Sequence, residues 1–235
     1  MPLKSVSLLI LTLNEIDGVQ KILPQIDRPL FSQILVIDGG SKDGTQKWCQ
    51  DNGFDLTVQT RKGVRYAYFD AWHLVTGEYV VTISPDGNCD VSKLPEMIDL
   101  LQSSDLVIGS RYLQGSNSED DDLITAFGNW FFNFVARVFF GSSITDVMVI
   151  YRGYRKNLVD ELNLFDESNY QTPEKLFFTR ISWEPLMSIR AVKQKKMIRE
   201  FDAGEPPRIG GERKLQIIRW GLAYLFQFIR ELKTR

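Results

Sequence analysis

The stretch Tyr79-Val80-Val81-Thr82-Ile83-Ser84-Pro85-Asp86-Gly87-Asn88 joins an apolar run to a tight turn. Its first five residues form the largely β-branched pattern of a parallel strand that is covered on both faces. The strand pattern ends at Ser84-Pro85-Asp86, where Pro and Gly turn the chain and a carboxylate appears. Ligands of open α/β sheets bind outside the carboxyl ends of the strands. Asp86 is therefore a candidate ligand for a metal ion and the phosphates that it carries.

The same alternation of apolar run, polar turn and helical segment recurs along the chain. We predict strands at 6–11, 34–37, 56–59, 79–83, 106–109 and about 197–201. We predict helices at 17–25, through Trp48 and Cys49, and at 66–75, 93–103, 127–140, 183–193 and 214–233. Repeated strand–helix units with short connections predict an α/β protein with a doubly wound, mostly parallel sheet flanked by helices.

Composition narrows the class of protein. A chain of 235 residues with net charge −2 can bury one sizeable core, and that charge argues against a nucleic-acid partner. Cys49 and Cys89 are too few for a disulfide framework and lack zinc-type spacing, which fits a reducing compartment. The N-terminal residues lack a cleavage signal. The sequence has no run of about 20 uninterrupted apolar residues, so we expect no transmembrane helix. We therefore expect a cytoplasmic protein.

Two segments are unusually apolar or basic for such a protein. The predicted helix at 127–140 is dense in aromatic residues, and the acidic run Glu119-Asp120-Asp121-Asp122 before it is expected to be a solvated helix start. We expect a main domain at 1–203, then a linker and an amphipathic C-terminal helix at 204–235. A basic, aromatic-rich helix fits either a membrane interface or packing against the core or a second subunit in a homo-oligomer.

Four strand ends present polar groups at one edge of the predicted sheet: Asn14-Glu15, Asp38, Arg61-Lys62 and Ser84-Pro85-Asp86. Carboxylates can accept hydrogen bonds from a base or a ribose, and basic groups can meet a diphosphate. Mg²⁺ or Mn²⁺, which take oxygen ligands, would bridge Asp86 and the phosphates. The order of these groups favours a nucleotide site.

In this order the motifs resemble the nucleotide-sugar site of the family 2 glycosyltransferases, which have the GT-A fold. The motifs are Leu11-Thr12-Leu13-Asn14-Glu15, Val36-Ile37-Asp38-Gly39-Gly40-Ser41-Lys42-Asp43-Gly44-Thr45 and Ser84-Pro85-Asp86. Further similarity runs through 104–112 and 145–155 and, weakly, through 210–215. That order resembles the branch of dolichyl-phosphate mannose synthase and the bacterial polyprenyl-phosphate sugar transferases.

The resemblance implies roles at the donor end of the site. Thr12, Asn14, Glu15 and Asp38 would bind the nucleotide sugar, with Lys62 near its diphosphate.

Asp86 would bind the donor through Mg²⁺ or Mn²⁺ as the principal metal ligand and would be essential for catalysis, with Asn88 as a second ligand. The family's usual Asp-x-Asp is Ser84-Pro85-Asp86 here, so one carboxylate is replaced. The diphosphate itself supplies oxygens to the ion, and Ser84 can orient a metal-bound water.

At the acceptor end, Arg111, Asp146 and Arg152 would act in catalysis by surrounding the transferring sugar and the acceptor phosphate. The small residues usual before the aromatic–Arg pair are replaced by Met148-Val149-Ile150, which changes the acceptor side more than the donor side.

The expected function is an inverting, metal-dependent transfer of sugar from a nucleotide-diphosphate donor to a polyprenyl phosphate, such as undecaprenyl or dolichyl phosphate, by a peripheral protein on the cytoplasmic face of the membrane. A phosphate acceptor is already ionised at neutral pH, whereas a hydroxyl acceptor needs a general base, for which Asp146 is the candidate. Transfer to a glycan or other hydroxyl is therefore the first alternative. A catalytically silent nucleotide-sugar binder is the second.

Overall fold

The computed structural model describes residues 5–113, 118, 120, 122–209 and 217–234. Glu119, Asp121 and the weak similarity at 210–215 lie outside the described residues. Within these ranges the strands are β1 (Val6–Thr12), β2 (Gln33–Asp38), β3 (Asp55–Val58), β4 (Tyr79–Ile83), β5 (Leu106–Ser110), β6 (Arg152–Arg155) and β7 (Ile198–Asp202). The helices are α1 (Ile16–Ile22), α2 (Thr45–Asp51), α3 (Val64–Ala71), α4 (Leu94–Leu101), α5 (Leu123–Phe140), α6 (Leu158–Glu161), α7 (Ser168–Phe177), α8 (Glu184–Lys193) and α9 (Ile217–Lys233).

The strands form one sheet in the order β3-β2-β1-β4-β6-β5-β7. β1 pairs in parallel with β2 and β4, β2 with β3, and β5 with β7, while β6 is antiparallel to β4 and β5. The predicted doubly wound, mostly parallel sheet is confirmed. Thr12, Asp38, Ile83 and Ser110 end their strands on the same side, and we call this side the carboxyl edge.

The antiparallel strand β6 and the helices α6 and α7 are the main elements that the sequence did not predict. Arg152-Gly153-Tyr154-Arg155 is too short and too charged to read as a central strand. Gly153 permits it to lie there, because a Cβ at this position would stand 2.6 Å from Leu101 Cδ1 on α4. α3 is shorter than the predicted 66–75, because a 3-10 turn at Trp72–Leu74 follows it.

The sheet is covered on both faces by apolar side chains, so the core has two layers. One layer holds α1, α2 and α4 against the sheet, and the other holds α3, α5, α8 and α9. In the second layer Trp183 is fully buried and stacks on Tyr68 with ring centroids 4.3 Å apart. α9 packs on α5, α7 and α8 through buried Ala223, Tyr224 and Phe228, so the predicted amphipathic C-terminal helix is confirmed. The division of the chain at residue 203 stays a prediction.

Candidate active site

Asp38 at the end of β2 is fully buried. Its Oδ1 accepts hydrogen bonds from the backbone N–H groups of Gly40 and Ser41, at 2.8 and 2.7 Å, and from Gln46 Nε2 at 2.6 Å. Its Oδ2 accepts from Thr12 Oγ1 at 2.8 Å and from Ser41 Oγ at 2.5 Å. Burial alone would raise the pKa of Asp38, but the hydrogen bonds outweigh it and lower the pKa. Asp38 is thus a charged anchor that fixes the turn after β2.

Asn14 and Glu15 tie the turn after β1 to the turn after β2. Asn14 has a positive φ of 54°, its N–H donates to Ser41 Oγ at 2.7 Å, and its Oδ1 accepts from the N–H of Lys42 at 2.8 Å. The N–H of Glu15 donates to Thr45 Oγ1 at 3.0 Å. The two turns therefore form one rigid wall at the carboxyl edge.

A cavity of about 1040 Å³ opens beside this wall, and we call it the donor cavity. Three of the predicted donor-binding residues line it: Thr12, Glu15 and Lys62. The opposite side is formed by the end of α7, the residues that follow it and α9, and it adds two further basic side chains, Lys175 and Arg180. Small-molecule sites are typically about 300–1,000 Å³, so this cavity can hold a nucleotide-sized ligand. Its basic groups suit phosphate.

Asp86 lies directly after β4 and is 7% exposed. Its Oδ1 accepts from the backbone N–H of Asn88 at 3.2 Å, and its Oδ2 lies 2.9 Å from Nη1 of Arg208. α1 comes very close to this turn, because a Cβ at Gly18 would stand 2.2 Å from the carbonyl oxygen of Pro85. The turn is therefore held between α1 and the segment that carries Arg208.

Asn88 links Asp86 to two further carboxylates. Its Nδ2 donates to Asp120 Oδ2 at 3.0 Å and to Glu205 Oε1 at 3.3 Å. Its Oδ1 is buried and has no hydrogen-bond partner. Among the described residues, no three His, Cys, Asp or Glu side chains converge as a complete metal cage. Asp86 and Asn88 nevertheless supply a carboxylate and an unpartnered amide oxygen from the same turn.

Arg111 and Asp146 form a paired unit behind this cluster. Nε and Nη2 of Arg111 donate to the two carboxylate oxygens of Asp146 at 2.7 and 3.0 Å, and Asp146 is fully buried. Arg111 Nη1 also lies 3.6 Å from Glu205. Burial lowers the pKa of Arg111, but Asp146 more than offsets that, and the pKa is raised. The structure therefore brings Arg111 and Asp146 together, and Glu205 connects them to Asn88.

Arg152 is placed differently from the other predicted residues. It is fully buried in β6, where its guanidinium donates to the carbonyl oxygens of Val149 and Glu184 and to Ser188 Oγ at 3.2 Å. Burial lowers its pKa. The structure does not bring Arg152 into the donor cavity, and its guanidinium is occupied by the packing of β6 against α8.

Three residues around Asp86 and Asn88 were not predicted from the sequence as site residues. They are Asp120, Glu205 and Arg208. Asp120 belongs to the run that was expected to be a solvated helix start, a role that Asp122 fulfils by capping Thr125. Glu205 and Arg208 lie in the segment expected to be a linker. Only the fold brings these loops together, so no local pattern could have identified them.

A second, apolar cavity of about 290 Å³ lies between α5 and α9, and we call it the groove. Its lining includes Phe127 and Phe131 of α5 and Leu222 of α9. Trp220 and Tyr224 line both the groove and the donor cavity. The groove and the donor cavity are therefore neighbours on α9.

The outer surface of these helices carries exposed apolar side chains, which we call the apolar face: Ile124, Phe127, Trp130, Phe134, Ile218 and Leu222. Trp130 is 59% exposed, and its ring lies 5.7 Å from that of Phe127 and 5.6 Å from that of Phe134. By length and composition, α5 is apolar enough to cross a membrane, with a mean hydropathy of 1.3 and 28% of it buried, a feature that the sequence did not predict. Contiguous exposed patches of this kind mark interaction surfaces.

Comparison with known proteins places this site in a family. An undecaprenyl-phosphate mannosyltransferase of Micrococcus luteus is 27% identical over 93% of this chain and 95% of its own length. A dolichol-phosphate mannosyltransferase of Pyrococcus furiosus is 27% identical over 49% of this chain, a match that spans 35% of that protein.

Solved structures agree on the fold. Glucosyl-3-phosphoglycerate synthase from Mycobacterium tuberculosis, in complex with Mn²⁺, UDP-glucose and phosphoglyceric acid, superposes with a TM-score of 0.64 over 98% of this chain and 80% of its own, at 16% identity. The predicted GT-A fold is confirmed. Residues 7–162 match the model of glycosyl transferase family 2, so the chain belongs to the family 2 glycosyltransferases.

Proposed function

We propose that this family 2 glycosyltransferase moves a sugar from a nucleotide-diphosphate donor to a polyprenyl phosphate, with inversion at the anomeric carbon and with a divalent cation at Asp86. The observation that carries the proposal is that the donor cavity and the groove share Trp220 and Tyr224 as lining residues. A cavity that contains basic side chains next to an apolar groove matches an acceptor with a charged head and a hydrocarbon tail.

The donor end suits a nucleotide diphosphate. Thr12 and Glu15 line the cavity beside the wall anchored by Asp38, where they can accept hydrogen bonds from the nucleoside. Lys62 and Arg180 face the same space and would neutralise the phosphates. These basic groups stabilise the charge that builds on the leaving nucleoside diphosphate.

The oxygens around Asp86 fit Mg²⁺ or Mn²⁺. Asp86 offers a carboxylate, and the buried, unpartnered Oδ1 of Asn88 offers a neutral ligand from the same turn. When bound, the ion supplies positive charge to the diphosphate. Asp86 and Asn88 would hold it, and Ser84, which lines the donor cavity, would orient a water.

A phosphate acceptor also agrees with the state of Asp146. This residue is the candidate base for a hydroxyl acceptor, but its carboxylate is fully buried and bound by both arms of Arg111. A polyprenyl phosphate is already ionised at neutral pH and needs no such base. The pairing therefore favours the lipid phosphate over a glycan hydroxyl.

The apolar face supports a peripheral position on the cytoplasmic side of a membrane. The inner face of α5 packs in the core through Phe132, Val135 and Ala136, so the helix is committed to the protein along one side. Its outer side leaves Phe127 and Trp130 about 60% exposed, at 63% and 59%. A helix of this kind lies in the interface with its apolar side in lipid.

The test is a transfer assay with Mn²⁺ or Mg²⁺ and a panel of nucleotide sugars. Undecaprenyl phosphate is offered in one arm and water-soluble glycans in the other. A lipid-linked sugar is the expected product, and transfer only to glycans would refute the lipid acceptor. Donor binding without turnover on any acceptor would support a silent binder instead.

Gly221→Leu tests in the same assay whether the acceptor lies in the groove. Gly221 lines the groove and has open space beside its Cα, so a leucine there would fill the path of the lipid while improving helix propensity. We expect loss of transfer to undecaprenyl phosphate with unchanged nucleotide binding. Ala126→Leu, at an exposed position of α5, is the matched variant and should transfer normally.

A further inference from the structure

Arg208 occupies the centre of the acidic cluster at the carboxyl edge. Its Nη1 lies 2.9 Å from Asp86 Oδ2 and 4.0 Å from Glu15 Oε1, and its Nε lies 3.8 Å from Asp120 Oδ2. The guanidinium thus contacts the carboxylate of Asp86 that a divalent cation would use. A single positive charge there faces three carboxylates.

The contact between Arg208 and Asp86 is weaker than the ion pairs that two buried arginines, Arg111 and Arg65, form in the same protein. Arg111 holds Asp146 with two nitrogens at 2.7 and 3.0 Å, and Arg65 holds Glu174 with two at 2.5 and 3.1 Å. Arg208 reaches Asp86 with one nitrogen at 2.9 Å, and its Nε lies 3.8 Å from Asp120 Oδ2. A one-nitrogen contact lacks the paired geometry of the other two arginines, so this position is less well optimised for a permanent ion pair.

The segment that carries Arg208 rests on the turn that carries Asp86. The N–H of Ile209 donates to the carbonyl oxygen of Asp86 at 2.8 Å. The side chain of Ile209 covers Gly87, where a Cβ would stand 2.7 Å from Ile209 Cγ1. Gly204, with a φ of +58°, and Pro206-Pro207 lie just before Arg208. The segment is a short cover that delivers one cationic side chain to Asp86.

We propose that Arg208 is a displaceable cation that competes with the divalent metal ion for Asp86 and moves to the donor's diphosphate when the ion binds. This inference rests on the proposed function, since it takes the metal position at Asp86 from it. A divalent ion outcompetes a one-armed guanidinium because it carries twice the charge and can also use Asn88 Oδ1. The displaced guanidinium finds a good partner in a phosphate, which it can bind with two nitrogens.

Competition of this kind couples metal binding to donor binding. Without the donor, the ion must break the contact between Arg208 and Asp86 and leave the guanidinium beside it. With the diphosphate present, the same displacement gives Arg208 a new anionic partner. The nucleoside diphosphate should therefore raise metal affinity more in the wild-type chain than in a variant without Arg208.

The first measurement is the affinity of the full chain for Mn²⁺ in the absence of any nucleotide. The concentration of free Mn²⁺ is determined by electron paramagnetic resonance. Arg208→Gln should bind Mn²⁺ about fivefold or more tightly than the wild type. Arg199→Gln makes the same charge change at an exposed position of β7 and should match the wild type. Equal or weaker Mn²⁺ binding by Arg208→Gln overturns the proposal.

The second measurement separates displacement from a general effect of charge. Phenylglyoxal labels free guanidinium groups, and mass spectrometry reports the labelling of each arginine in the wild-type chain. Labelling of Arg208 should rise severalfold with Mn²⁺ and fall again when a nucleoside diphosphate is added, while labelling of Arg199 stays constant. Labelling of Arg208 that does not respond to saturating Mn²⁺ overturns the proposal. Neither measurement uses an acceptor, so a failed transfer assay leaves both outcomes interpretable.

Discussion

The wall of the donor cavity and the apolar face of α5 are built in opposite ways. In the wall, Asp38 is fully buried and accepts hydrogen bonds on both carboxylate oxygens, so its position is fixed by directional contacts. On the apolar face, Trp130 is 59% exposed and touches its neighbours through ring stacking. Directional bonds select one ligand geometry, whereas an apolar surface accepts any hydrocarbon. The donor side is therefore the specific half of the site, and the apolar face is the permissive half.

The largest expected effect is at Glu174, which lies on α7 at the donor cavity. Glu174 accepts from buried Arg65 on α3 and from Arg180 of the donor cavity, and the N–H of Ile181 also donates to it. Glu174→Gln leaves the charge of Arg65 buried without its partner and should lower the free energy of unfolding by about 3–5 kcal/mol, measured in urea.

A matched exposed pair is the control for that change. Lys47 and Asp51 lie 2.7 Å apart with side chains 80% and 58% exposed. Lys47→Gln should change the free energy of unfolding by less than about 0.5 kcal/mol. If Glu174→Gln costs no more than Lys47→Gln, the buried pair of Arg65 and Glu174 does not stabilise this side of the donor cavity.

Asp86→Ala tests the specific half. Removal of the carboxylate should lower kcat/KM for the nucleotide sugar by at least about a hundredfold, because charge on the leaving group loses its stabilisation. Asp99→Ala, on the exposed side of α4, removes the same charge away from the site and should leave kcat/KM unchanged. A loss of less than about threefold for Asp86→Ala, with the fold intact by circular dichroism, would remove Asp86 from the proposed mechanism.

The permissive half is tested by Phe127→Ser combined with Trp130→Ser. Burying one large apolar side chain contributes about 1.5–3 kcal/mol, so partition onto anionic vesicles should fall at least about tenfold in flotation assays. Nucleotide binding should not change. Val58→Ser, at an exposed position of β3, is the control and should float like the wild type. Unchanged flotation, together with loss of a concentration-dependent dimer in light scattering, would assign the face to a homo-oligomer.

The smallest expected effect is the pH dependence of the donor wall. The folded-state pKa of Asp38 lies below its unfolded value, so its stabilisation is complete above about pH 4 and is lost as pH falls through the folded pKa. Wild type and Asp38→Asn should differ in the slope of unfolding free energy against pH only in that acidic range. One proton limits the difference to about 1.4 kcal/mol per pH unit. Parallel slopes below pH 4 would show that Asp38 is not a charged anchor.

Local sequence patterns predict part of the donor half. The runs at β1, β2 and β4 are apolar and β-branched, and each ends in a turn that carries a polar residue. Parallel pairing then places Thr12 opposite Asp38 at one edge without further information. Strand, turn and edge position all follow from neighbours in sequence, so Thr12, Glu15 and Lys62 could be assigned to one cavity.

The rest depends on contacts between distant parts of the chain. Arg152 is predicted to lie at the transferring sugar and the acceptor phosphate, but its guanidinium donates to the carbonyl oxygens of Val149 and Glu184 in the core. Arg208 lies in a segment that the sequence predicts to be a linker. Its partner Asp86 lies in a distant loop, so the local pattern does not reveal their contact. An amphipathic helix such as α5 also has two readings, since periodicity does not tell which apolar side faces the core.

The position of β6 in the chain determines when the sheet can be completed during synthesis of the protein. β4 and β5 are joined in the sheet through β6, which follows both of them and α5 in the chain. α5 leaves the ribosome before β6 does, so the helix emerges while the sheet is still in two parts. The arrival of β6 then closes the sheet and seats the inner side of α5 against the core. The outer apolar side of α5 is thus exposed before the sheet that carries the carboxyl edge is complete.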